Sequence, residues 1–111
     1  MALPDAFLND AVNGGVANVS HIALLNASGT ELSGGSYVRK AVSWGTASSG
    51  AVHPTADLVF DVPAGVTVGG WAGYNASTAG VSRGGANLSN EPYTNAGTYT
   101  LTAASTGYDL N

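Results

Sequence analysis

From Val19 onward, no apolar run lasts more than a few residues before Gly, Asn, Ser or Pro interrupts it. Asn26-Ala27-Ser28-Gly29, Ser33-Gly34-Gly35-Ser36, Pro63-Ala64-Gly65 and Asn75-Ala76-Ser77-Thr78-Ala79-Gly80 are the clearest interruptions. Gly reaches positive φ without a steric cost, Pro pre-sets the corner of a turn, and Asn and Ser bond their own backbone. Short segments separated by such signals about every 8–12 residues specify an antiparallel sandwich or small barrel, because each strand can bury its apolar face only against other strands.

The segments between the turns read as strands over residues 21–25, 37–44, 56–62, 66–74, 82–88 and 97–103. Strand side chains alternate between faces. In 37–44 this places Val38, Val42 and Trp44 on one face and Tyr37, Arg39, Ala41 and Ser43 on the other. In 56–62, Leu58, Phe60 and Val62 face in, while Asp57, Val59 and Asp61 face out. The segment 66–74 carries glycines and is expected to be bulged or closely packed on a neighbour. Segment 82–88 is the weakest strand signal. In 97–103, Tyr99, Leu101 and Ala103 are expected inside with the threonines outside. Residues 47–52 read as a loop.

The N-terminus differs. Phe7 and Ala11, and Leu8 and Val12, repeat at the i, i+4 spacing of a helix, Pro4 and Asp5 suit a first turn, and Asn13-Gly14-Gly15 supplies a stop. The expectation is an all-β fold, a small antiparallel sandwich or barrel over residues 19–111, preceded by a short N-terminal helical arm over residues 1–18. A chain of 111 residues suits one domain. Its 44% apolar residues supply a core without the low hydrophobicity of disordered chains.

Charge then limits the possible functions. Only 9% of the residues are charged, against roughly 25% in an ordinary soluble protein, so the surface is Ser, Thr, Asn, Gly and backbone. Such a surface lowers the repulsion that keeps monomers apart, and an oligomer or assembled state is expected. The net charge is −4 with Arg39, Lys40 and Arg83 as the basic residues. That is too few to neutralise phosphates, so no nucleic-acid partner is expected. There is no cysteine. No window approaches the roughly 18 apolar residues of a membrane span, so no membrane partner is expected. The first residues lack the basic and apolar regions of a signal peptide, so synthesis in a cytoplasm is expected.

Little in the chain supports catalysis. His21 begins an apolar strand and His53 precedes a proline. No Gly-x-Ser-x-Gly elbow accompanies them, and clustered metal ligands are missing from the pattern. Asp57 and Asp61 would lie about 13 Å apart on one strand at a rise of roughly 3.3 Å per residue, wider than the 5–9.5 Å of paired glycosidase carboxylates, and read as solvated groups. The glycine pairs at 34–35, 69–70 and 84–85 lack the Lys-Ser/Thr of a phosphate loop. Four Asn-x-Ser sequons at Asn18, Asn26, Asn75 and Asn87 read as turn chemistry. Trp44 and Tyr99 are expected in the core. Trp71 and Tyr74, beside glycines and an Asn turn, are candidates for a partner or glycan surface. No catalytic residue, metal or cofactor is expected.

Leu32-Ser33-Gly34-Gly35-Ser36-Tyr37-Val38-Arg39-Lys40-Ala41-Val42-Ser43-Trp44 resembles a segment of small virion proteins of phages that infect actinobacteria. Leu58-Val59-Phe60-Asp61-Val62-Pro63-Ala64-Gly65-Val66-Thr67-Val68-Gly69-Gly70 and Gly97-Thr98-Tyr99-Thr100-Leu101-Thr102 are similar to it as well. The resemblance implies a non-enzymatic structural protein of the tail-fibre, minor structural or capsid-decoration type. Its location would be the virion, its partners other virion proteins (major capsid or tail proteins) and copies of itself. On this reading Phe7, Leu8 and Val12 on the arm pack on a partner subunit. The alternative is a tail-fibre receptor-binding module in which Trp71 and Tyr74 meet host-envelope carbohydrate.

Overall fold

The computed structural model describes residues 3–110. One helix, α1 (Asp5–Val16), precedes eight strands among these residues: β1 (His21–Asn26), β2 (Lys40–Ala41), β3 (Ala51–Val52), β4 (Leu58–Val62), β5 (Val66–Tyr74), β6 (Ser82–Tyr93), β7 (Gly97–Leu101) and β8 (Tyr108–Asp109). A 3-10 turn, Ala103–Ser105, links the last two. The strands form one four-stranded antiparallel sheet in the order β2-β1-β5-β6 and two antiparallel pairs, β4-β7 and β3-β8. No helix among the described residues is long and apolar enough to cross a membrane.

The core explains this arrangement. Ile22 and Leu24 of β1, Val68 and Trp71 of β5, Phe60 and Val62 of β4 and Leu101 of β7 meet in one buried cluster. The four-stranded sheet and the β4-β7 pair thus close on each other, as the alternating pattern requires. β4 alternates as expected, with Phe60 and Val62 buried and Val59 exposed. β5 occupies the expected span, and its register slips beside the glycine pair, between Val68 and Gly70. Close approach requires glycine at two places. A Cβ at Gly73 would strike the Tyr108 hydroxyl and Val19 Cγ1, and one at Gly85 would strike the Trp71 carbonyl.

The helix departs from expectation in two ways. It runs through Gly14 and Gly15 and ends at Val16. Val12 and Val16 are buried with Ala47 and Val52 in a second cluster, and that burial outweighs the cost of roughly 1 kcal/mol per helical glycine. The second departure is in what the helical arm packs on. Leu8 and Val12 are buried by the chain itself, and Asn9 Oδ1 accepts a 2.8 Å hydrogen bond from the Gly50 amide. Of the three residues expected to pack on a partner, only Phe7 is exposed, at 57%. Val12→Ala should therefore cost about 2 kcal/mol of unfolding free energy. Phe7→Ala should stay within about 0.5 kcal/mol. Urea denaturation of both variants checks the contrast, and equal effects would contradict the packing.

The strand expected over 37–44 shrinks to Lys40–Ala41. Its facing is also reversed at the start, with Val38 exposed and Tyr37 and Arg39 half-buried. The Tyr37 hydroxyl accepts a hydrogen bond from the Leu24 amide at 3.0 Å. A side chain thus takes the place on the β1 edge that a ladder carbonyl would fill. Trp44 packs on the core, and its indole N–H donates to the Val19 carbonyl at 2.9 Å. Ala103 lies in the 3-10 turn rather than in β7. β6 is longer than expected and includes Pro92, which an edge strand tolerates because it need not donate on its open side.

Candidate functional site

The densest polar cluster lies where β5 ends. Arg39 grips Glu31 in bidentate fashion, with Nη2 to Oε1 at 2.8 Å and Nε to Oε2 at 2.9 Å. Its Nη1 donates to the carbonyls of Ala76 (3.1 Å) and Ala79 (2.7 Å) in the β5-β6 turn. The guanidinium carbon lies 3.7 Å from the centroid of the Tyr74 ring, a cation–π geometry. The Tyr37 hydroxyl donates to Glu31 Oε2 at 2.8 Å. Across the turn, Asn75 Oδ1 accepts from the Val81 amide.

The electrostatics follow from these contacts. The Arg39 hydrogen bonds hold the Glu31 carboxyl below its ordinary range, against the opposing effect of burial. Burial, reinforced by the hydrogen bond to Glu31, pushes the Tyr37 phenol well above its ordinary value. Carboxylate, guanidinium and phenol are thus fixed in one protonation state across the neutral range. The cluster is a staple that ties the β5-β6 turn to the segment after β1.

The residues singled out from sequence are dispersed. Trp71 is 2% exposed and lies edge-on to Tyr108, with ring centroids 5.5 Å apart. It is a core residue and presents no face to a sugar, which corrects the expectation of a glycan platform built on it. Tyr74 is half-buried, and Arg39 covers one face of its ring. The Nδ1 of His53 donates to the Thr106 carbonyl at 2.7 Å, and His21 Nδ1 lies 2.9 Å from Ser20 Oγ. Asp57 Oδ1 accepts from the Ala103 amide at 2.8 Å, which anchors the 3-10 turn. Among the described residues no group of three or more His, Asp or Glu side chains could hold a metal ion. Asn26 and Asn75 are turn residues, as their sequence context implies.

Sequence reasoning missed the Glu31–Tyr37–Arg39–Tyr74 cluster, because strict strand alternation set Tyr37 and Arg39 on the face opposite Val38, Val42 and Trp44. The available signal was the chain's scarcity of basic residues. An arginine in so charge-poor a sequence, two positions after a tyrosine, marks a place where a charge is needed.

Among the described residues, two open surfaces stand out. One is the free edge of β6, exposed at every residue except Leu88 and Tyr93. The other is the flank of α1, where Phe7 projects and a recess of about 290 Å³ opens beside Gly15. Together, fold and surfaces define a small antiparallel β domain with one packed N-terminal helix. No protein-family model, curated protein or solved structure matches the chain.

Proposed function

We propose that the chain is a non-enzymatic structural protein of a phage virion, a surface ornament of the capsid-decoration or head-fibre type that assembles as an oligomer on the particle. The observation that carries this reading is the β6 edge. Twelve residues of strand lie at the rim of the sheet, almost wholly exposed, with Arg83 and Glu91 as the charged side chains. Monomeric proteins block such edges with short strands, charge or a covering element, because open N–H and C=O groups recruit other chains. The two register slips against β5 shorten the straight stretches of this edge, and the Tyr108 and Ser82 hydroxyls take up the Gly84 carbonyl and amide, while the rest of the strand stays exposed. A charge-poor domain with that edge is suited to a neighbour that completes it. The resemblance of three of its segments to actinobacteriophage virion proteins points the same way.

The test is particle association. Phage particles carrying the gene are purified on a density gradient, the chain is quantified in the particle band by mass spectrometry, and its density is located by cryo-microscopy. Co-migration at a fixed copy number with ordered density on the head or tail is expected. A chain that stays in the soluble fraction and is missing from particles would refute the reading.

A further inference from the structure

We propose that the flank of α1 is a self-complementary interface through which two copies of this chain pair about a twofold axis. Phe7, Ala11 and Gly15 follow one another at i, i+4 and i+8, so they form a single row on the helix. One end of the row is a knob, since Phe7 is 57% exposed. The other end is a hole. The recess of about 290 Å³ is lined by Ala11, Gly15, Val19, Tyr108 and Leu110 with Arg83, and a Cβ built at Gly15 meets nothing within 4 Å.

The midpoint of 7 and 15 is Ala11. An antiparallel copy related by a twofold through Ala11 therefore sets each Phe7 over the other's recess, at a knob-to-hole spacing of about 12 Å from a rise of roughly 1.5 Å per residue. An isologous contact must present the same patch on both partners, and a knob and a hole placed symmetrically about one small residue meet that condition. Alanine and glycine at the crossing let the helix axes approach closely, and antiparallel helix dipoles attract.

Charge selects a second copy over other apolar partners. Arg83 lines the recess and makes no ion pair among the described residues. The twofold brings it to the N-terminal half of the partner's helix. There Asp10, exposed and three residues from Phe7, flanks the incoming ring. Each Phe7 has 57% of its surface left to bury, which is roughly 85–140 Å² of the 150–250 Å² of a whole aromatic residue. The total falls at or below the roughly 1,200 Å² of a standard interface, so the dimer is concentration-dependent. It engages β6 only through the Arg83 side chain near the start of the strand, and it does not depend on the virion reading.

Sedimentation equilibrium of the intact chain tests the pairing, with circular dichroism confirming the fold of each variant. A shift from 11.0 kDa towards twice that mass is expected as concentration rises to about 1 mM, the weak end of specific association. Phe7→Ala removes the knob, and Gly15→Leu fills the hole from a position with open space around it. Each should weaken the dimer at least about tenfold, as loss of an interface anchor does. Arg83→Asp should weaken it, and the double variant Arg83→Asp with Asp10→Arg should restore it. A chain that remains a monomer at about 1 mM, or a dimer that survives either Phe7→Ala or Gly15→Leu unchanged, overturns the proposal. Particle loading is a separate readout, so failure here and failure of the virion role are distinguishable.

Discussion

Trp71→Ala is expected to remove a large share of the stability of the domain. Trp71 sits at 2% exposure on β5, opposite Leu24 of β1, in the cluster that joins the sheet to the β4-β7 pair. Its ring meets Tyr108 edge-on, and Tyr108 in turn packs on Trp44 with centroids 5.6 Å apart. One truncation thus opens a cavity and unseats a chain of three aromatics. Large-to-small substitutions of buried aromatics cost about 3–5 kcal/mol, a large share of the 5–15 kcal/mol available to a domain. In thermal unfolding this corresponds to a fall of at least ~12 °C, from 4–8 °C per kcal/mol for domains of this size. Trp71→Phe keeps most of the volume and should lose less than half as much. A Trp71→Ala variant that melts within a few degrees of the wild type would show that the residue is not in the core. Such a result would reopen its reading as a surface platform.

The same residue shows how far the sequence could be read. Clean alternation identified β4, because Leu58, Phe60 and Val62 are large and the intervening residues are mostly polar. It could not place Trp71. The glycines beside it carry no side chain to mark a face, and the register slips between Val68 and Gly70, so counting by twos loses its meaning there. The helix was legible from its i, i+4 pairs, yet its end was not, because packing of Val16 on Ala47 and Val52 is a long-range contact that overrides the Gly-Gly stop. For the same reason Leu8 and Val12 were assigned to a partner. An apolar helical stripe looks identical whether its own domain or another chain covers it, and only Phe7, on the other flank, is left for a partner. β3 and β8, two residues each, are too short to leave any periodicity. Arg39 escaped because its burial is made possible by Glu31, eight residues upstream, and by two turn carbonyls some 40 residues downstream. No local pattern joins them.

Arg39→Met is expected to be the most destabilising polar substitution in the chain, and its effect depends on pH. The Arg39 side chain is 7% exposed. Its loss leaves the Ala76 and Ala79 carbonyls without their donor and Glu31 without its counter-ion. It also removes the bond that helps hold Ala79 at a φ of +52°, a conformation unfavourable for a residue with a Cβ. Removing one member of a buried pair costs 3–5 kcal/mol. Glu31 retains 28% exposure and can recruit water, so a loss near the lower bound, about 3 kcal/mol, is expected. Arg39→Lys keeps the charge but not the bidentate fork and should recover less than half of the loss. The sign with pH follows from linkage. The folded state holds the Glu31 carboxyl below its ordinary value of 4.5. Its contribution is therefore present in full above that value and is lost as pH falls through the depressed one. Tyr37 acts in the opposite sense at the other extreme. Its folded-state value is raised above the ordinary 10.0, so its contribution is present below that pH and declines as pH rises beyond it. Urea unfolding from pH 2 to 8 should then show a wild-type advantage over Arg39→Met that is constant at neutral pH and narrows as pH falls below the ordinary value of 4.5 and on through the depressed one. A gap between the two proteins that stays the same width through the acid range would mean that Glu31 draws no stability from Arg39. The guanidinium would then be held by the turn carbonyls and the Tyr74 ring alone.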